Sequence, residues 1–110
     1  MSDNLVLAQL ICSNNQLTSL NVSKNLWLPY LKCGDNQLTS LDVSKNTRLT
    51  YLNCSSNKLS AGALNALFEM LLTVSKGIDV NLYIKNNPGT EDCDISIAKN
   101  KGWTIDLDIP

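Results

Sequence analysis

Four cysteines are the residues of this chain with the most potential for chemistry, and three of them share one spacing. Cys12, Cys33 and Cys54 follow one another at intervals of 21 residues, whereas Cys93 stands outside that series. A thiolate can ligate a metal, exchange with a disulfide or act as a nucleophile. Each of these uses requires particular neighbouring residues.

Those neighbours are missing around the three evenly spaced cysteines. The chain contains no histidine to activate a thiolate, and no basic residues cluster near the series. Zinc sites usually separate paired cysteines by only about two to four residues. Because free cysteine is among the most buried residue types, we interpret the three cysteines as a buried apolar ladder. A disulfide between Cys54 and Cys93 is neither required nor excluded by the sequence.

Two groups of carboxylates are the other candidates for acid–base or metal chemistry. Asp106 and Asp108 alternate near the C-terminus, and a second group precedes them, formed by Glu91, Asp92 and Asp94. Either group has the composition of an acid pair or a calcium site. Solvated acids that cap a helix start or blunt an edge strand explain both groups better. We therefore expect no enzymatic activity, no catalytic residues, no metal site and no cofactor.

Size, charge and hydropathy narrow the classes of partner. A chain of 110 residues is normally one domain with a modest core. Its formal net charge of -1 gives no electrostatic reason to expect nucleic acid or anionic lipid. No window approaches the roughly 20 apolar residues of a membrane helix. The early apolar segment LVLAQLI follows Asp3 and lacks the basic flank of a signal peptide. We expect neither nucleic-acid binding nor membrane insertion.

The interval of 21 residues also recurs in the residues around the cysteines, which must form the elements that position them. One asparagine and two leucines recur at the same step, at Asn15, Asn36 and Asn57, at Leu10, Leu31 and Leu52, and at Leu17, Leu38 and Leu59. A fixed period of this length is typical of stacked supersecondary units, none of which can bury its apolar face alone. Apolar residues alternate with polar ones around the cysteines, which predicts short strands that stack into a parallel sheet.

Each unit carries the pattern L-x-x-L-x-C-x-x-N-x-L, beginning at Leu7, Leu28 and Leu49. This pattern resembles the leucine-rich repeat family, in particular the cysteine-bearing repeats of bacterial surface proteins. The resemblance implies an α/β fold, a right-handed solenoid with a parallel β-sheet on the concave face, short convex turns and one helix in a C-terminal cap. Residues 7–59 would form the regular repeats and residues 60–110 an irregular repeat and the cap, within a single domain spanning residues 1–110.

The recurring asparagines fall at the bend that follows each strand. We predict that they are buried and bond backbone groups of neighbouring coils, because the chain leaves the strand ladder there. Asn25 and Asn46 are expected to do the same at a second corner. This structural role is a better explanation of their spacing than ligand binding.

The pattern changes at Ser60, which we predict to be the N-cap of a helix with one apolar face. Leu82, Ile84 and Asn87 then repeat the spacing of a fourth strand and its bend. A short helix at residues 95–99 and a last strand, WTIDLDI, would complete the stack. We expect Trp103 to cover the open end of the core, since solenoids need terminal units that differ from the consensus.

The outward strand positions of the stacked units would form one continuous surface, here called the concave face. All three tyrosines of the chain fall on it. Tyrosine offers a large contact area with a polar tip and is enriched in recognition surfaces, but a cross-strand pair of tyrosines can equally serve to stabilise the sheet. The predicted binding residues are Gln9, Ile11, Tyr30, Lys32, Tyr51, Asn53, Asn81, Tyr83 and Lys85.

The resemblance implies recognition of a protein or peptide partner through the concave face, in an extracellular or cell-surface location. Two alternatives stay open. One is a structural spacer or C-terminal cap of a longer repeat surface protein, and the other is carbohydrate binding on the tyrosine rings. Few residues precede the first repeat, so we expect an uncovered strand edge that pairs with further repeats of a longer array or with a second copy.

Overall fold

Five short strands form one parallel sheet in chain order. The structure, a computed structural model, describes residues 9–11, 15–23, 28–74 and 79–106. The strands are β1 (Gln9–Ile11), β2 (Tyr30–Lys32), β3 (Tyr51–Asn53), β4 (Asn81–Tyr83) and β5 (Thr104–Asp106). Helix α1 (Ala61–Met70) lies between β3 and β4, and helix α2 (Ser96–Lys99) lies between β4 and β5.

The strands pair in the register that the repeat predicts. Leu31 is opposite Leu10 on one side and Leu52 on the other. Leu82 and Ile105 continue the same row into β4 and β5. Leu31, Leu52 and Leu82 are completely buried. Because a slip by one residue would turn this row toward solvent, burial of the leucines fixes the register.

The cysteines continue the buried row directly after the strands. Cys33 and Cys54 are both completely buried, and Ile84 takes the same position after β4. The backbone N–H of Cys54 donates to the carbonyl of Tyr83 at 2.9 Å, so the strand ladder extends through this position. The predicted buried ladder is confirmed for Cys33 and Cys54, while Cys12 lies outside the described residues.

The asparagine at each bend joins its own coil to the preceding one. The Nδ2 atom of Asn57 donates to the carbonyl of Cys54 in the same coil and to that of Cys33 in the preceding coil, both at 3.1 Å. Its Oδ1 atom accepts the N–H of Leu38, also in the preceding coil, at 3.0 Å. One side chain therefore satisfies backbone groups of two coils that no strand partner reaches.

The other asparagines repeat these contacts. The Nδ2 atom of Asn87 donates to the carbonyls of Ile84 at 2.9 Å and Cys54 at 3.0 Å. The Oδ1 atom of Asn36 accepts the N–H of Leu17 at 3.1 Å. The predicted structural role is thus confirmed at three successive bends.

The second corner uses an asparagine in the same way. Asn46 is buried, and its Nδ2 atom donates to the carbonyl of Val22 at 3.0 Å. Asn25, the preceding member of this column, lies outside the described residues. Asn15 is exposed, in contrast to the buried position that the repeat predicts for it.

The residue before each buried bend asparagine has a left-handed backbone. Asp35, Ser56 and Asn86 have φ angles of 58°, 55° and 63°. Aspartate and asparagine tolerate this conformation better than most other residues, since their short polar side chains can bond locally. The turn chemistry at positions 35 and 86 therefore matches the shape of the bend.

Helix α1 occupies the longer connection between β3 and β4. The Oγ atom of Ser60 accepts the N–H of Ala63 at 3.2 Å, which confirms the predicted N-cap. Leu64, Leu67 and Phe68 are buried and join the core. The irregular unit therefore replaces a short turn with a helix, yet it returns β4 to the common register.

The C-terminal end of the core is closed by residues after α2. Trp103 is only 3% exposed, and its Nε1 atom donates to the carbonyl of Leu72 at 2.8 Å. The ammonium group of Lys101 donates to the carbonyl of Leu71 at 3.0 Å, where the end of α1 leaves carbonyl groups without helical partners.

Gly89, in the turn that follows β4, permits close packing of this turn against the start of α1, since an added Cβ would lie 1.9 Å from the backbone nitrogen of Ala61.

Replacement of Leu31 by alanine should lower the free energy of unfolding by about 2–5 kcal/mol, because it leaves a cavity in a completely buried layer. Denaturant unfolding followed by circular dichroism measures this loss. Leu72→Ala is the matched control, since Leu72 is 45% exposed and its truncation should change stability by only about 0.5 kcal/mol. Equal losses in the two variants would contradict the assignment of the core.

Candidate functional site

The three tyrosines form one continuous row on the concave face. Tyr30 and Tyr51 are directly opposite each other on β2 and β3. Their rings stack with centroids 4.1 Å apart and planes within 4° of parallel. Tyr83 on β4 joins the row diagonally, with its centroid 5.1 Å from that of Tyr51 and a tilt of 43°. The row therefore crosses three strands.

The stacking fixes how the rings of Tyr30 and Tyr51 are presented. Neighbouring strands lie about 4.8 Å apart, and face-to-face stacking between directly opposite residues sets the ring planes upright on the sheet. Each ring therefore covers one face of the other. Ring edges, with the phenol groups, are the parts directed away from the sheet.

Tyr51 occupies the middle of the row and contacts both other rings. Burial and, next, a hydrogen bond to the hydroxyl of Tyr30 raise the pKa of Tyr51 to about 12. A side-chain hydrogen bond with Asn53 acts in the opposite direction. The phenol of Tyr51 therefore keeps its proton throughout the physiological pH range.

Two lysines flank the tyrosines. Lys32 ends β2, two residues after Tyr30, and Lys85 lies two residues beyond Tyr83. Both lysines and Asn81 are partly exposed. The outward positions of residues 30–34, 51–55 and 81–85 include these two lysines and no aspartate or glutamate. The central part of the concave face therefore combines aromatic rings with basic side chains.

Asn53 is buried, contrary to the prediction that it is an exposed binding residue. It is only 1% exposed, although its register places it in the outward column between Lys32 and Tyr83. Its Oδ1 atom accepts the N–H of Ser55 at 3.0 Å. Asn53 therefore stabilises the local backbone beneath the exposed face of the sheet.

The first strand extends the concave face as the repeat predicts. Gln9 is paired with Tyr30, and Ile11 is paired with Lys32. The side chains of both β1 residues lie outside what the structure describes. Their contribution to binding stays a prediction.

A cleft of about 590 Å³ borders the concave face beyond the end of β4. It brings together residues that the sequence analysis treated separately, namely Lys85, Glu91, Asp92 and Cys93. The thiol of Cys93 donates to the carbonyl of Thr90 at 3.3 Å within this turn. Because the turn departs from the 21-residue repeat, the sequence offers no register from which to predict the cleft.

The acidic residues near the cleft do not assemble into a metal site in the described ranges. Asp94 belongs to the acidic group for which a solvated role was expected, and it accepts the N–H of Ser96 at 3.1 Å and also its hydroxyl proton. It therefore stabilises the turn into α2. Among residues 9–11, 15–23, 28–74 and 79–106, no group of three or more histidine, cysteine, aspartate and glutamate side chains is placed to hold a metal.

The thiols differ in environment. Cys33, Cys54 and Cys93 are thiols, so Cys54 and Cys93 are not joined by a disulfide. Burial raises the pKa of Cys54 to about 12. The pKa of Cys93 is also raised, first by burial and further by the negative charges of Asp94 and Asp92. Cys93 is nevertheless the more accessible thiol, since it is partly exposed.

The comparisons with known proteins agree with the architecture. The functional domain of InlJ from Listeria monocytogenes, described as including a cysteine ladder, matches with a TM-score of 0.66 and 28% sequence identity. The match covers 96% of this chain and 21% of that chain, so the sequence spans about a fifth of the length of the matched InlJ domain. Together with the five parallel strands in register, this likeness shows the leucine-rich repeat fold.

No family model matches the chain, and no curated protein matches it. Within the described ranges, no helix has both the length and the apolar character needed to cross a bilayer.

Cys93 should react with a thiol reagent well before Cys33 and Cys54 in the native protein, because the latter two are completely buried. Iodoacetamide labelling at pH 8 with residue-by-residue mass spectrometry measures the order. Unfolding in guanidinium should abolish the difference, and Cys93→Ser identifies the fast signal. Native labelling of Cys33 or Cys54 as fast as that of Cys93 would contradict the buried ladder.

Proposed function

We propose that this leucine-rich repeat chain is a non-enzymatic recognition module that binds a protein or peptide partner through its concave face. The observation that carries the proposal is the row of Tyr30, Tyr51 and Tyr83 across three strands. These rings lie outside the leucine and cysteine core and stay partly exposed. Rigid aromatic side chains with polar tips favour protein contacts, because little conformational entropy is lost when they bind.

The orientation of the rings favours a protein partner over a sugar. A carbohydrate that stacks on tyrosine requires an open ring face, whereas Tyr30 and Tyr51 each cover one face of the other. Their edges and hydroxyl groups suit hydrogen bonds to carbonyl and carboxylate oxygens, which a polypeptide supplies in quantity. Carbohydrate binding therefore receives less support than peptide recognition.

A structural spacer is the second candidate function. It is favoured by the nearest-neighbour character of the stack, in which Asn57 and the strands contact only adjacent coils. It is also consistent with the small share of InlJ that the chain matches. In a spacer the tyrosine row would only strengthen the sheet, and partners would bind elsewhere in a longer protein.

We propose a bacterial cell-surface location, because the cysteine-bearing repeats resemble those of bacterial surface proteins and the chain is similar to the functional domain of InlJ. Binding at a surface would require the module to meet partners outside the cell. The buried, inert cysteines are compatible with that setting, since a completely buried thiol does not depend on a reducing compartment for its protection.

Combined replacement of Tyr30 and Tyr51 by alanine should abolish binding while leaving the fold intact, since both rings lie outside the core. The measurement is a selection of displayed random dodecapeptides on the immobilised wild-type chain, followed by titration of the enriched peptides against each variant. Loss of the stacked pair should lower stability by about 0.5–1.5 kcal/mol beyond the loss of buried area, which thermal unfolding records.

Gln37→Ala combined with Thr39→Ala is the matched control, because both side chains are exposed beyond the bend and away from the strands. It should bind the selected peptides as the wild type does. Selected peptides that bind the tyrosine double variant unchanged would favour the spacer, and the absence of any enriched peptide would do the same.

A further inference from the structure

Tyr30 and Tyr51 are placed so that they can react with each other. They are directly opposite on β2 and β3, and their ring centroids are 4.1 Å apart with planes 4° from parallel. A hydrogen bond links their two hydroxyl groups. The ring carbons beside those hydroxyls therefore lie next to one another as well. Both side chains are partly exposed, so an oxidant in the solvent can reach the ring edges.

We propose that Tyr30 and Tyr51 are a site of oxidative coupling, at which hydrogen peroxide acting through a haem peroxidase joins the two rings as dityrosine. Each phenol loses one electron and its hydroxyl proton, which gives two phenoxyl radicals. The radicals form one carbon–carbon bond between the ring carbons beside the hydroxyls, and the hydrogens on those carbons move to the oxygens and restore both phenols. The two electrons and two protons reduce one hydrogen peroxide to two water molecules. This inference is independent of the proposed recognition function.

The sheet keeps the two rings together. Neighbouring strands stay about 4.8 Å apart, and the buried pair Leu31 and Leu52 fixes the register beside them. Reacting groups held in contact behave as if their concentration were about 10⁵ M or more in well-oriented cases. The stacked faces must still open, because the new bond joins ring edges. The ring torsion of tyrosine is broad, so a turn of each ring about its long axis brings the edges together while the strands stay paired.

Tyr83 is a less suitable partner for Tyr51 within the same row. Its ring centroid is 5.1 Å from that of Tyr51, and the ring planes are tilted by 43°. Its register partner on β3 is Asn53, so it lies diagonally from Tyr51. One strand spacing and a step of two residues separate the two backbones by about 8 Å. Coupling should therefore select the pair of Tyr30 and Tyr51.

The new bond would join two neighbouring coils of the stack. It would close a loop of 21 residues, since 51 − 30 = 21. A cross-link of this kind restricts the unfolded chain and so stabilises the folded one. Oxidation at this site would therefore strengthen the stack and hold the two rings in place.

The test treats the wild-type chain with hydrogen peroxide and a haem peroxidase. Cys93 is first blocked with iodoacetamide, because a partly exposed thiol would consume the oxidant. Dityrosine fluorescence and peptide mapping by mass spectrometry measure the product. We expect a monomer that has lost two hydrogen atoms, has Tyr30 joined to Tyr51 and forms in a yield independent of protein concentration. Its midpoint of thermal unfolding should rise by at least about 5 °C.

Tyr83→Phe is the matched control, because it removes one phenol from the row and leaves the stacked pair intact. It should keep the yield within about twofold of the wild type, whereas Tyr30→Phe should lower it at least about tenfold. Phenylalanine retains the ring in both variants, so both should fold, which circular dichroism checks. A bond that includes Tyr83 as often as Tyr30, or a product that forms only between molecules, would overturn the proposal. Oxidation of the tyrosines without any dityrosine would overturn it as well.

Discussion

The hydrogen bonds that a bend asparagine makes to two coils at once are the interaction on which this structure depends. A three-residue strand satisfies few backbone groups, and the chain turns away from the sheet immediately afterwards. At that point Asn57 bonds the carbonyls of Cys54 and Cys33 and the N–H of Leu38. Without this side chain, the buried N–H of Leu38 would lose its acceptor, which costs about 1–3 kcal/mol. The carbonyls of Cys54 and Cys33 would keep the bonds that Asn87 and Asn36 donate, but would lose the one that joins the two coils through Asn57. The coils are therefore stable as a stack and not singly.

The geometry of the concave face, which we propose as the binding surface, follows from the same constraint. Because neighbouring bends are tied together, the strands are held in one register, and the leucine and cysteine columns stay on the dry side. The alternate positions then align on the other side, which brings Tyr30 against Tyr51 and places Tyr83 beside them. The cysteines contribute volume to the core, whereas the tyrosines and lysines lie on the surface that we propose for recognition. The same repeat therefore determines both the buried core and the exposed face of the sheet.

Much of this architecture can be predicted from the sequence, because residues at the same position of successive repeats align across the strands of the sheet. The strand register, the burial of Cys33 and Cys54, the bend asparagines and the Ser60 cap all follow from spacing and from helix chemistry. The proposed outward column is also correct in register at Asn53. Its burial could not be predicted, because the period of two assigns a residue to one face of the sheet but does not determine how far its neighbours cover it.

Features outside the repeat cannot be predicted from the sequence pattern. The same holds for details of backbone and side-chain conformation within the repeat. The cleft that gathers Lys85, Glu91 and Cys93 forms in an irregular turn with no second copy to compare. The left-handed backbone at Ser56 is imposed by the bend, since serine itself gives little indication of it. Stacking of the tyrosine rings likewise depends on side-chain rotamers, which the alignment of the repeats does not give.

Hydrogen exchange in Asn57→Ala tests the central claim most directly. The amide of Leu38 donates to the Oδ1 atom of Asn57 in the wild type, and α1 supplies internal reference amides. The account predicts that protection of the Leu38 amide falls by at least about tenfold relative to those references, as the two coils separate locally. An unchanged exchange rate for Leu38, with an unchanged free energy of unfolding, would contradict it.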